Sequence, residues 1–113
     1  MSEENHEYII PHYKMIITYD VIMGKMDSYR QYVMGEFVPS LQESKVYMTE
    51  IWDTAYGDCP NRMVSFVTED LETIEDFLNG EEWAKLESKF KGYVKNYTRK
   101  VVAYERGFQF ITN

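Results

Sequence analysis

A chain of 113 residues, 44% hydrophobic and 27% charged, has material for one core and one domain and is neither disordered nor fibrous. Its net charge of −7 repels polyanions, so neither nucleic acid nor an anionic membrane is an expected partner. One cysteine, Cys59, excludes an internal disulfide and a thiolate metal site, and no run approaches the ~20 apolar residues of a membrane span.

Residues 1–12 are polar, pass through Pro11 and read as a flexible surface segment. They lack the apolar run of a signal peptide, so a cytoplasmic address is expected. Tyr13 to Met23 is rich in β-branched and aromatic residues and closes on Gly24, which predicts a strand. Met15, Ile17, Tyr19 and Val21 share its more apolar side, expected to meet helices. Ile16, Thr18, Asp20 and Ile22 share the other.

Asp27 or Ser28 can cap the next element. Tyr29, Val33, Phe37 and Leu41 then recur every four residues, a buried helical stripe. Pro39 removes one N–H, should kink the last turn, and sets the helix end near Ser44. Val46 to Tyr56 and Arg62 to Thr68 read as two strands joined by the turn-rich Gly57–Asn61, an antiparallel hairpin.

Asp70 can cap a second helix whose inner side carries Leu71, Ile74, Phe77 and Leu78, broken at Asn79-Gly80. Trp83, Leu86, Phe90, Tyr93 or Val94, and Tyr97 continue a helical spacing, with Gly92 weakening it. Arg99 to Arg106 is the last strand, and residues 107–113 form a C-terminal tail.

Strand, helix, strand, strand, helix pair, strand is the split βαβ order: an α+β, ferredoxin-like βαββαβ domain over residues 1–113, with helices on one face of a four-stranded antiparallel sheet. The uncovered face would carry Ile16, Ile22, Met48, Trp52 and Met63 or Val64. Such a patch calls for cover, and a homodimer through the open sheet face supplies it.

Phe37-Val-Pro-Ser-Leu41 leading into Val46–Trp52, and Val64–Leu78 followed by Glu82-Trp-Ala-Lys-Leu86, resemble the dimeric α/β-barrel superfamily, in particular its antibiotic-biosynthesis-monooxygenase type. The first stretch is similar to the family's proline near the end of helix one and the strand after it. The second is similar to its third strand, acidic cap and bipartite second helix. Together they span most of residues 14–106. The resemblance implies a dimeric barrel with a pocket between sheet and helices or between the two sheets. It also implies a small apolar or aromatic ligand.

For chemistry, Glu50 and Trp52 share a strand side. A carboxylate beside an aromatic in a dry barrel can serve as a base, and Asp20 could join it from strand one. The plainer alternative is that both pair with Arg62, Lys100 or Arg106. Tyr19, Tyr97 and Tyr104 are candidates to bind a ligand oxygen, with Tyr47 expected on the side opposite Glu50; plain packing is the alternative. Trp83 is a pocket candidate or a core anchor. The only histidines, His6 and His12, precede strand one, so the haem-ligating histidine of the haem-degrading members is missing from residues 70–97. No metal-ligand spacing is present, and no cofactor is expected.

Overall fold

The computed structural model describes residues 10–53 and 62–103. Their order is β1 (Tyr13–Val21), α1 (Met26–Tyr32), a π-helical turn (Val33–Phe37), α2 (Val38–Glu43), β2 (Tyr47–Asp53), β3 (Arg62–Thr68), α3 (Leu71–Leu78), α4 (Glu81–Lys91) and β4 (Val94–Ala103). The four strands form one antiparallel sheet in the order β2-β3-β1-β4. This is the ferredoxin-like α+β arrangement expected from the sequence. No helix among the described residues is long and apolar enough to cross a membrane.

The helices cover the side of the sheet that carries Met15, Ile17, Tyr19, Val64 and Phe66, all buried. Phe37 is the hub of this layer. Its ring stacks on Phe90 at 4.7 Å and meets Phe66 at 6.3 Å and Trp83 at 5.9 Å. Offset and edge-on contacts of this kind add to the burial of large apolar area.

Several sequence expectations are corrected in detail. Neither Asp27 nor Ser28 caps α1. Lys25 precedes it without a side-chain cap, and Asp27 sits in the first turn, where the positive helix end favours it. The irregularity around Pro39 falls ahead of it. Pro39 cannot donate to the carbonyl four residues back. The chain widens over the preceding turn, where the Val38 N–H bonds the Val33 carbonyl five residues back. Pro39 itself then fits the first turn of α2.

Tyr93 and Tyr97 do not continue α4. The helix stops at Lys91 with Gly92 as its cap, and Tyr97 lies on β4. Residues four apart share a side in a strand as well as in a helix, so spacing alone could not separate the two.

Asp70 caps α3 as expected, accepting from the Thr73 N–H at 2.8 Å. The caps of α2 were not foreseen. Val46 N–H bonds the Leu41 carbonyl and Lys45 N–H bonds the Gln42 carbonyl, both at 2.9 Å, with Lys45 at φ 67°. This closes the helix in the paired 6→1 and 5→2 pattern that normally uses glycine.

Two bulges decide which side chains share a face. In β2 the pairing steps from Met48↔Phe66 to Glu50↔Ser65, so Thr49 is extra. In β4 it steps from Asp20↔Lys95 to Thr18↔Thr98, with Asn96 at φ 57° as the extra residue. The β2 bulge turns Met48 to the helix side, and the β3 register places Val64 there too. Neither belongs to the open face. It also brings Tyr47 to the same side as Glu50, reversing the expectation that they oppose.

Candidate functional site

On the open side, directly paired residues form rows across β2, β3, β1 and β4. The first row is Tyr47, Val67, Lys14 and Val102. The second is Glu50, Ser65, Ile16 and Lys100. The third is Trp52, Met63, Thr18 and Thr98, and Asp20 and Lys95 follow on β1 and β4. The face is therefore a mosaic of apolar and charged residues and is less oily than simple alternation suggested.

Glu50 lies 3.8 Å from Lys14, with Ser65 between their strands. Ser65 is buried although it sits on the uncovered side. The Trp52 indole N–H donates to Glu50 at 3.4 Å, and Trp52 is 55% exposed. Asp20 accepts from the Asn96 side-chain amide at 2.7 Å. Two strand spacings and four residues separate Glu50 from Asp20, about 16 Å. They do not form a carboxylate pair.

Tyr19, Trp83 and Tyr97 lie on the helix side of the sheet. Trp83 is buried between Phe37 and Phe77, with the Arg99 guanidinium 5.5 Å from its ring centre. Among the described residues, its indole N–H finds no acceptor. Tyr97 packs on Phe90 and donates to Glu87 at 2.7 Å, while Arg99 donates to the same carboxylate oxygen at 3.0 Å. Burial, then the hydrogen bond to Glu87, hold the Tyr97 phenol far above its ordinary pKa. Tyr104 and Cys59 lie outside the described residues.

The helix side also holds an arrangement that sequence reading missed. A narrow cleft of about 20 Å³ runs between the sheet and the α1–α2 layer. Its walls include Met48 and Ile51 from β2, Val33 and Phe37 from the π-helical turn, and Phe90 from α4. Widened turns of this kind are common where a helix must present side chains to a site. At one end, Tyr19 and Tyr29 share a hydrogen bond between their hydroxyls. Arg62 donates to the Tyr29 oxygen at 3.2 Å and to Asp53 at 2.8 Å.

Asp53, Arg62, Tyr29 and Tyr19 thus form one chain from the sheet end into the core. Burial, then the adjacent Tyr29, push the Tyr19 phenol far above its usual value, so it stays a neutral hydroxyl. The sequence clue was a polar-tipped tyrosine at the head of the apolar stripe and an arginine at the inward parity of β3. Among the described residues no group of His, Cys, Asp and Glu is arranged to hold a metal.

No family model and no curated protein matches the chain. Solved structures share its fold at low identity. A NIPSNAP family protein from Agrobacterium tumefaciens is 12% identical over 89% of this chain and 92% of that one, with TM-score 0.62. A dimeric protein of unknown function and ferredoxin-like fold from Bacteroides fragilis is 13% identical over 86% and 100%, with TM-score 0.54. An ethyl tert-butyl ether d family protein from Bacillus halodurans is 12% identical over 83% and 99%, with TM-score 0.64. At these identities the likeness is one of fold.

Proposed function

We propose that this chain is a single-domain, cytoplasmic, homodimeric α/β barrel of the antibiotic-biosynthesis-monooxygenase type. It binds a small aromatic or oxygenated molecule in the cleft between helices and sheet. The observation that carries this reading is the cleft's composition. Apolar walls from both the sheet and the helices end on a phenol, Tyr29, already held by the Arg62 cation. Apolar walls with a few convergent polar groups are the usual form of a small-molecule site. The ligand ring would pack against Phe37 and Phe90, and its oxygen would take a hydrogen bond from Tyr29 or Arg62. If the protein turns its ligand over, the nearest class is a cofactor-independent monooxygenase or isomerase. Tyr29 and Tyr19 would then orient the reacting oxygen. Glu50, Asp20 and Trp52, on the other face, would act at the subunit interface.

A panel of phenols and aromatic ketones, screened by thermal shift, tests this. A ligand at one hundred times its Kd stabilises by about 2.7 kcal/mol. Tyr29→Phe should remove most of that gain. No shift from any compound at millimolar concentration would discard the reading.

The second reading is a non-catalytic structural dimer, and one observation favours it. The cleft's free volume of about 20 Å³ holds little more than one water. A ligand must displace side chains, and Ile51, 52% exposed on an edge strand, is the one freest to move. Oxygen uptake or product formation with any stabilising compound separates the two readings.

A further inference from the structure

We infer that the open sheet face pairs with a second copy about a two-fold axis parallel to the strands. In this pairing Glu50 of each subunit meets Lys100 of the partner subunit. The inference rests on the dimer reading above and adds the register and the contacts that select it.

The argument is the layout of charge across one row. Glu50 stands on the β2 edge and Lys100 on the β4 edge, with Ser65 and Ile16 paired between them. β2 and β4 are the two outer strands. A two-fold axis running along the strands, midway between β3 and β1, lays the β4 edge of one copy over the β2 edge of the other and keeps each row in register. Glu50 then faces Lys100 of the partner subunit, and the same contact recurs by symmetry on the far side. Stacked sheets lie about 10 Å apart, a gap that one Glu and one Lys side chain span together.

A two-fold axis across the strands does the opposite. It stacks each edge on its own copy, gathering Glu50 with Glu50 and the β4 lysines with one another. Like charges brought together oppose that packing.

The rest of the face agrees with the first arrangement. Val67, Ile16 and Met63 hold the two inner strands and Glu50 and Lys100 the outer ones, while Lys14, the inner-strand charge, is already paired with Glu50 of its own subunit. Trp52 comes to lie over the β4 edge beside Thr98. Among the described residues Lys100 has no ion-pair partner, while Glu50 has Lys14 at 3.8 Å. A layout that complements itself under a two-fold selects a second copy over an unrelated partner.

Charge reversal tests the pairing in the full chain by sedimentation velocity over the micromolar range. K100E is the cleaner single variant, because it leaves the Lys14–Glu50 contact untouched. E50K is the reciprocal change. Each should raise the dimer Kd about tenfold, since two symmetric pairs turn repulsive at once, and E50K/K100E should return it to within about threefold of the parent. Circular dichroism confirms that each variant is folded. A dimeric parent with an indifferent K100E, or a double variant no tighter than the singles, overturns the pairing and leaves the dimer reading standing. A monomeric parent overturns both.

Discussion

Tyr19 and Tyr29 share one hydrogen bond between their hydroxyls, and among the described residues only Tyr29 has a second partner, the Arg62 guanidinium. The asymmetry gives the two phenols different weights. Tyr29→Phe strands the buried Tyr19 hydroxyl and takes an acceptor from Arg62, whereas Tyr19→Phe leaves Tyr29 still bonded to Arg62. An orphaned buried hydroxyl costs about 1–3 kcal/mol, so Tyr29→Phe is expected to lose about that much and Tyr19→Phe clearly less. The double variant should be more stable than the sum of the singles predicts. Urea unfolding of the three variants measures this, and equal losses from the two singles would contradict it.

Three phenols, Tyr19, Tyr32 and Tyr97, have pKa values raised well above the ordinary value, in each case first by burial. A raised pKa in the folded state means that the unfolded chain gives up its proton first. Their contribution is whole below the unfolded value near 10. It is lost as the pH climbs from there toward the raised folded values. For Tyr19 the loss approaches about 1.4 kcal/mol per pH unit, and the other two, screened by more solvent, add less. Unfolding free energy should therefore hold steady from pH 7 to 9 and fall steeply above pH 10. Phenolate absorbance should show these three titrating only as the chain unfolds. Ten tyrosines titrating together before unfolding would refute this.

Lys45 closes α2 in a left-handed conformation at φ 67°. A side chain there costs about 1–2 kcal/mol relative to glycine, partly returned by glycine's greater freedom in the unfolded chain. Lys45→Gly should stabilise the protein by about 1 kcal/mol, while Lys45→Val should destabilise it. Melting temperatures of the pair check the sign. The surrounding bonds to Leu41 and Gln42 are backbone contacts and remain in both.

The architecture was legible because the strongest sequence signals agreed with one another. The inward set Met15, Ile17 and Tyr19, the stripe Tyr29–Phe37–Leu41 and the Asp70 cap all appear where periodicity and cap chemistry put them. The site was far less legible. Glu50 and Trp52 do share a side, but Met48 and Tyr47 exchanged sides because Thr49 is an extra residue. A bulge leaves no mark in an alternation pattern, since one inserted residue inverts the parity of everything beyond it. Asn96 did the same to β4 and hid Tyr97's place beneath α4. Tyr29 and Arg62 meet across 33 positions of sequence, and nothing local announces that contact.

The β2 bulge carries the last prediction. Removing one residue from inside a strand normally turns half its side chains to the wrong face and abolishes folding. Thr49 should be the exception. Without it, Met48 and Glu50 become neighbours and alternate as they already do, Met48 inward against Phe66 and Glu50 outward against Ser65. The losses are the local bend and the bond from the Thr49 hydroxyl to the Ser65 carbonyl at 3.2 Å. Deleting Thr49 should therefore cost about 1–2 kcal/mol, the scale of one hydrogen bond plus some repacking. Deleting Ile51 instead can be absorbed only by giving up the bulge, which moves Thr49 to the place against Ser65 and turns Glu50 inward against the buried Val64, where a carboxylate meets a desolvation cost larger than one lost hydrogen bond. Paired urea titrations of the two deletions decide the matter. Equal destabilisation would mean that Thr49 is not the extra residue and that the two faces of β2 have been drawn wrongly.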